Sequence, residues 1–513
     1  MIKRSKHFVI NSLIILILLF LISCSTTKHL VKEVKDNYKS KIQRLIDTVA
    51  PEDIWYVMAG AGANGDGKSV ANPIGLSAII ESKSKQGDTI VLLHSDIALT
   101  GGLKLKAGQS LIGLSDTRQK PIITNKDAIR NNGCGIVLAN NNRILNVLIK
   151  ETYASGIYGN NISTAHIEGV KIYGANQSKS FLEVKYATLP GSVPHGGMVF
   201  VHSEMPAQVI VTSSEIMQSA GFGVVSITSN SVSSSLSVKH TRVNGGSKIG
   251  FFDVGIAAMV QGSASRVHLD VYDSEVQGRL SRSGRNIMVV ASGGAKAKTH
   301  VERFLSGPTG QDGIVMAVMQ SPSEIDLYIG DSMIEGAGQM NIEGTLVNLP
   351  PDDPLQADKG SVSIEIEGST IRNAGQVNGF EDVAANIWLG ASRFLEDSLP
   401  TLGRYTLRIR NSRIVGAGRS GLEFGDLGFL TNGLAEKSDY DIVLRDNIII
   451  DNGEAEVMIY APNAQIDARR NCWGLPEGLE ENKVVTSIPA KVEQLDATEP
   501  LPCHEAMNTD IHD

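Results

Sequence analysis

The chain has 513 residues, of which 42% are hydrophobic and only 5% aromatic, and it carries 52 glycines. Its formal net charge of -8 and pI near 5.8 argue against a general nucleic-acid partner, whose recognition surface is normally basic. Few aromatics with abundant glycine suit many short strands that turn often and stack aliphatic side chains, and a repeat array of that kind needs no partition into ordinary domains.

Lys3, Arg4 and Lys6 precede a run of mostly Ile and Leu from Phe8 to Ile22, short for a membrane span and flanked like an export signal. The run ends in Leu21-Ile22-Ser23-Cys24, which resembles the lipobox of bacterial lipoproteins. That resemblance implies a signal peptide over 1–23, cleavage before Cys24, and acylation of Cys24 on its thiol, by palmitate or a similar chain, and on its new amino terminus. The membrane is then a partner through a lipid anchor, and the expected location is the cell envelope. Ser25 in place of aspartate points to the outer membrane in a cell that has one. Two or three acyl chains make an anchor stable where one alone is marginal. A plain membrane anchor with an incidental cysteine is the other reading.

Residues 24–53 read as a polar tether. Within it Val31, Val34, Tyr38, Ile42, Leu45 and Val49 recur at helical spacing, predicting an amphipathic helix over Lys28–Val49. It serves either as part of a simple tether or as a short coiled coil that oligomerises the chain.

Gly62 to Ser69, GANGDGKS, fits the P-loop pattern letter for letter. A P-loop, however, needs a helix that opens at the Lys-Ser pair so that its first amides hold the phosphates. Pro73 falls where its ring and missing N–H disturb such a helix, so no nucleotide is expected here. Trp55-Tyr56-Val57, Gly65-Asp66-Gly67, Ala71-Asn72-Pro73 and Gly87-Asp88-Thr89-Ile90 instead resemble the opening of bacterial parallel β-helix proteins. There a strand, a Gly/Asp turn and an amphipathic helix lead into the first coil, with Pro73 near the helix start and Ile74, Ile79 and Ile80 closing the open end of the core.

An eight-residue frame then recurs: apolar-x-apolar-x-(Asn/Asp/Gly/His)-(Ser/Thr/Asn)-x-apolar. Copies begin at Asn142, Ala165, Val209, Leu236, Leu269, Leu327, Ile364, Leu407, Ile442 and Ile466, with a weaker one near Thr299. In the copy at Leu407 the alternation with Arg408 and Arg410 is that of a strand with one buried face. One frame recurring in one direction implies parallel stacking, and coils spaced by about 4.8 Å imply a rod on the order of 50 Å for these copies alone. The pattern over residues 54–474 resembles the pectate-lyase-like superfamily. The expected fold is therefore all-β: a single-stranded right-handed parallel β-helix with an N-terminal capping helix. The turn residues Asn146, His240, Asp273, Asp331, Asn411 and Asp446 suit left-handed corners and are expected to stack as a polar ladder.

The last frame runs into Asn471-Cys472-Trp473-Gly474, which resembles the Asn-x-Trp-Gly ending of many bacterial β-helix repeats, leaving 475–513 as a tail or cap. Cys503 is the only cysteine downstream. In an oxidising exterior a Cys472–Cys503 disulfide would pin that tail. Cys134 reads as a buried thiol. No cysteine–histidine pairing suggests a metal, and no cofactor is expected.

Superfamily enzymes work on a sheet face bordered by long loops. Loop candidates here are Ala187–Gly197, Asn348–Lys359, Gly375–Thr401 and Gly428–Asp439. Asp352, Asp353 and Asp358 in the second are read as a surface turn, with calcium binding as the other reading. No pectinase signature, neither Gly-His-Gly with an Asn-Thr-Asp partner nor Trp-Ile-Asp-His, is placed in the coils. The residues that do align are charged: Glu367, Arg410, Arg445 and Arg469 at the fourth frame position, with Glu365, Arg408 and Asp467 at the second. Either this stripe holds an acidic glycan, since guanidinium grips carboxylates bidentately, or it is a solvated face whose charges pair with one another. Two functions stay open: a surface lipoprotein for binding or adhesion, and a polysaccharide lyase or glycoside hydrolase whose site is assembled only by folding.

Overall fold

The computed structural model describes residues 42–503 except 63, 116–118, 184–191, 320–321, 348–359, 376–383, 392–402, 426–437, 462–463, 476–477 and 487–494. Among these residues there are three long parallel sheets of fifteen, twelve and thirteen strands, here sheets A, B and C, and from Thr89–Leu93 to Ala455–Ile459 the coils visit them in the order A, B, C. The chain is a right-handed parallel β-helix. Fifteen strands at the usual spacing make a rod about 65 Å long.

Every copy of the frame is a strand of sheet A. The eleven frame-starting residues, from Asn142 through Ala165, Val209, Leu236, Leu269, Thr299, Leu327, Ile364, Leu407 and Ile442 to Ile466, form one unbroken row of partners. Leu407, Ile409, Ile442 and Leu444 are buried in the common core, and Tyr405 stacks on Tyr440 within it at 4.7 Å between ring centroids. Position five of the frame is left-handed as expected, with φ between 45° and 57° at Asn146, His240, Asp273, Asp331, Asn411 and Asp446. Some of these residues bond between coils, Asn146 Nδ2 to the Gly113 carbonyl at 3.0 Å, Arg303 to Asp273 at 2.7 Å and Arg470 to Asp446 at 2.8 Å, and a second ladder runs one residue later. The left-handed residue faces solvent and the next one turns inward, so the backbone amides of Ser332, Ser369, Ser412 and Asn447 donate to the side chains of Ser369, Ser412, Asn447 and Asn471 at 3.0–3.2 Å.

Both ends of the core are closed. Ile54–Met58 pairs with Thr89–Leu93 as the first strands of sheet A, and fully buried Ile74 and Ile80 cover the open coil, Ile80 from the helix Ser77–Lys83. That helix opens at Ser77, beyond Pro73. Lys68 lies over the Trp55 ring at 3.6 Å and donates to the carbonyl of Glu52 at 2.7 Å; no helix opens at the Lys68-Ser69 pair. Residues 42–47 are helical, and Ile42 and Ile46 are buried against Ile54, Val91, Leu93, Ile112 and Leu145 on the outer face of sheet A. The end of the tether thus belongs to the folded rod. At the far end Trp473 is buried on the core, Cys472 and Cys503 are disulfide-bonded with Cα atoms 5.0 Å apart, and Val484–Thr486 and Leu495–Asp496 extend sheets C and A. Burial pushes the Cys134 thiol up to about 12, which leaves it unreactive.

Sheet C differs from sheet A because both of its faces are dry. Its strands Asp253–Gln261, Gly284–Ser292, Asp312–Met319 and Met340–Val347 are buried almost throughout. Inward residues such as Ile287 and Ile314 join the core, while Ala257, Met288, Val290, Val315 and Ala317 form a second apolar cluster outside it with Val193 and Phe252. The expected loops all enter or leave sheet C. Two of them hold strands: Ala385–Ala391 of sheet C lies within Gly375–Thr401, and Ser192–Pro194 lies within Ala187–Gly197, paired in a hairpin with Phe181–Glu183. Asp352, Asp353 and Asp358 lie outside the described residues, as does Cys24.

Candidate active site on the outer face of sheet C

Beyond Val315 the apolar outer face of sheet C gives way to acids. Register alone sets the row: Val315, Glu343, Trp388, Glu423 and Met458 are partners on successive strands. A parallel row beside it runs Arg285, Asp312, Met340, Ala385, Ser420. Five residues that are distant in sequence, Arg285, Asp312, Glu343, Trp388 and Glu423, therefore share one surface. Glu343 and Glu423 sit two strands apart with the indole between them, about 9.6 Å at the Cα atoms. The Trp388 ring lies over Gly390 of its own strand, where an added Cβ would come within 2.7 Å of it.

The carboxyls are held in unequal states. Asp312 and Glu343 are hydrogen-bonded to each other, and burial raises both above the ordinary carboxylate range. For Asp312 the shift is resisted by the Arg285 guanidinium, 3.2 Å away, and by the backbone amide of Met340 at 3.4 Å. Glu343 has the Asp312 charge pushing it further up. The pair thus holds its negative charge on Asp312 and its proton on Glu343. Glu423 is pushed up to about 7 by burial, opposed by Arg419 at 3.6 Å and by the Ser420 hydroxyl, which donates to it at 3.1 Å. Arg419 also contacts Glu454 at 3.5 Å and donates to the Tyr460 hydroxyl at 2.8 Å. Glu456, one coil on, is likewise raised by burial.

Three polar atoms of this surface are buried and find no hydrogen-bond partner among the described residues: Trp388 Nε1, Glu423 Oε1 and Thr345 Oγ1. A buried donor or acceptor left unpaired is costly, so these three atoms are the ones a hydroxyl-bearing ligand would satisfy if it reached them. Glu343 keeps 9% of its surface and Trp388 6%, so both are nearly buried.

The stripe read from the sequence lies elsewhere, on the outer face of sheet A. Glu365 and Glu367 are partners of Arg408 and Arg410, and Arg410 of Arg445. Most of the charges on that face pair with one another: Arg408 is paired with Asp441, Arg445 with Asp467, and Arg469 with Asp467 at 2.9 Å and Asp496 at 3.4 Å. Asp441 and Asp496 lie outside the aligned frame positions. Arg410 is exposed and has no carboxylate partner among the described residues. Sequence reasoning missed the sheet C acids because no frame repeats there; the readable signal was a carboxylate, Asp312 or Glu343, inside an otherwise apolar strand. Among the described residues no group of three or more His, Cys, Asp or Glu is placed to hold a metal.

No protein-family model matches the chain, and no curated relative does. Among solved structures, it is similar to the A-module of a mannuronan C-5 epimerase from Azotobacter vinelandii, at 12% identity over 81% of this chain and 91% of that one, with a TM-score of 0.37. It is also similar to a GH136 lacto-N-biosidase from Eubacterium ramulus, at 11% identity over 69% of this chain and 67% of that one, TM-score 0.34. A third similarity is to the catalytic domain of a GH87 alpha-1,3-glucanase, at 10% identity over 69% and 57% of the two chains, TM-score 0.22. Likenesses this distant assign no residue role and no substrate.

Proposed function

We propose that this chain is a carbohydrate-cleaving enzyme, a glycoside hydrolase acting on the outer face of sheet C. The observation that carries the reading is the row Glu343–Trp388–Glu423: two buried carboxyls of unequal character with an indole between them. Glu343, kept protonated by burial and by Asp312, is the general acid. It gives its proton to the glycosidic oxygen as the C–O bond breaks. Glu423, whose charged form is supported by Arg419 and Ser420, is the general base. It takes a proton from the water that attacks the anomeric carbon. Strand spacing sets the two carboxyls far enough apart to admit that water, as in inverting enzymes, whose carboxyls are about 6.5–9.5 Å apart. Trp388 would carry the sugar ring on its face and bond a hydroxyl through Nε1.

Hydrolysis is favoured over elimination. A lyase must neutralise the substrate's own carboxylate, and both arginines here are already committed, Arg285 to Asp312 and Arg419 to Glu423 and Glu454. For the same reason a neutral glycan suits the site better than the acidic one expected from the sequence. Incubation with a panel of neutral and uronic polysaccharides and oligosaccharides, read for new reducing ends and for unsaturated sugars, tests this. Reducing ends from a neutral glycan, abolished by Glu343→Gln, support it. Unsaturated products, or cleavage indifferent to that change, return the chain to a lyase with another site. No cleavage of any substrate returns it to a binding rod.

The envelope location remains a proposal that rests on Leu21-Ile22-Ser23-Cys24. Mass spectrometry of the native N-terminal peptide checks it: a diacylated or triacylated Cys24 as first residue supports the anchor, and an uncleaved or unmodified peptide removes it.

A further inference from the structure

Large apolar side chains are exposed along one corner of the rod's N-terminal half. Ile129 (87% exposed), Tyr153 (36%), Phe181 (47%), Phe251 (68%) and Leu280 (55%) all lie where the chain passes from sheet B to sheet C, on nearby coils. The corners touch. The Ser178 hydroxyl donates to the Tyr153 carbonyl at 2.6 Å, and a Cβ at Gly250, next to Phe251, would stand 4.0 Å from the Phe181 ring. From the Ile129 corner to the Leu280 corner is five strand spacings of sheet B, about 24 Å.

The exposure is built in by ordinary alternation. Leu182 and Phe252 turn into the apolar cluster outside sheet C while their neighbours Phe181 and Phe251 point away from it. The turn at Phe251 is pinned by reciprocal backbone bonds between Ile249 and Phe252 of 2.8 and 2.9 Å. Beside the tips stand cations: Lys179 by Phe181, Lys248 by Phe251 and Arg282 by Leu280, none with a carboxylate partner among the described residues. At the first two corners the cations have carboxylate partners, Lys126 and Lys150 both meeting Glu151 and Arg130 meeting Glu81.

We propose that this corner is a membrane-contacting edge, on which the rod lies against an anionic lipid surface with Phe181, Phe251 and Leu280 at the level of the headgroups. Aromatic and aliphatic tips flanked by lysine and arginine are what interfacial binding to anionic lipid uses, a local patch of positive charge on a chain whose net charge is -8. Sugar faces stack on flat rings, and Ile129 and Leu280 have none, so a lipid surface fits better than a glycan. The contact takes its nearness to a bilayer from the proposed anchor. The chain between Cys24 and the docked residues 42–47 spans at most about 60 Å, enough to let any side turn to the membrane; the corner decides which side does.

The test uses the full acylated chain in phosphatidylcholine–phosphatidylglycerol vesicles with brominated acyl chains. Phe251→Trp, Leu280→Trp and, as reference, Gln465→Trp on the exposed face of sheet A are compared after subtracting the parent's emission. The three variants should melt with the parent. Phe251→Trp and Leu280→Trp are expected to be quenched at least twofold more than Gln465→Trp. Adding Lys179→Glu, Lys248→Glu and Arg282→Glu together should remove at least half of that quenching. A chain that floats with the vesicles while Phe251→Trp and Gln465→Trp stay equally bright overturns the contact alone. A chain that does not float overturns the anchor with it. Emission at Phe251→Trp that answers to soluble oligosaccharides and not to vesicles makes the corner a glycan track and likewise overturns the proposal.

Discussion

The carboxyl of Glu343 is hydrogen-bonded to the carboxyl of Asp312 on the neighbouring strand of sheet C, with Arg285 on the far side of Asp312. Two acids that close cannot both ionise, so they share one proton. The guanidinium decides which of them keeps the charge. An acid that is protonated at neutral pH is thereby built into a face that is otherwise Val, Met and Ala.

Replacing Glu343 with glutamine removes the proton donor without changing the shape. Cleavage should fall about 10²–10⁴-fold, with KM little altered. Asp312→Asn should act through Glu343: the alkaline limb of the pH–rate profile moves to lower pH because the neighbouring charge is gone, which a purely structural role would not produce.

The pH profile itself is predicted to be bell-shaped. Glu423, pushed up to about 7, must lose its proton to act as base, so the acidic limb lies near that value. Activity falls again above it as Glu343 deprotonates.

Stability should move with pH in a direction opposite to that of an ion-paired carboxylate. Asp312, Glu343 and Glu423 are all raised in the fold. Above the ordinary glutamate value of 4.5 the unfolded chain gives up protons that the folded one keeps, so unfolding becomes easier as pH rises until the folded groups titrate too. Melting temperatures from pH 5 to 9 should decline, and the slope should be shallower in Glu343→Gln.

Trp388→Ala should raise KM about tenfold and leave kcat nearly unchanged, the signature of lost ground-state binding. Arg445→Ala on sheet A should do neither. Its carboxylate partner Asp467 is still held by Arg469, and the pair is worth about 0–1 kcal/mol.

Opening the Cys472–Cys503 disulfide by Cys503→Ser should cost about 3–4 kcal/mol from its loop of that size, read as a lower melting temperature under non-reducing conditions. Reduction of the parent should bring the two together.

How much of this was legible depends on which face of a sheet is wet. Sheet A has a solvated outer face, so Leu407 and Ile409 alternate with Arg408 and Arg410 and the register could be read residue by residue. Sheet C is dry on both faces. Ile314 to Met319 is an unbroken apolar run that shows no period, and nothing in it announces that Asp312 will meet Glu343 a full coil later. The second, inward ladder was not separable from the first in the sequence, because left-handed Asn411 and inward Ser412 are adjacent and equally polar. The arginine stripe was legible in its register, and only two of its partners were not, because Asp441 and Asp496 come from positions outside the frame.

The measurement that bears most directly on the central claim is the anomeric configuration of the first product, followed by NMR during cleavage of a neutral glycan by the parent, Glu343→Gln and Glu423→Gln. A reducing sugar of inverted configuration is expected from the parent and none from either variant. Retained configuration would contradict the acid–base pair across Trp388, and an unsaturated sugar, or product formed equally by the variants, would contradict hydrolysis on sheet C altogether.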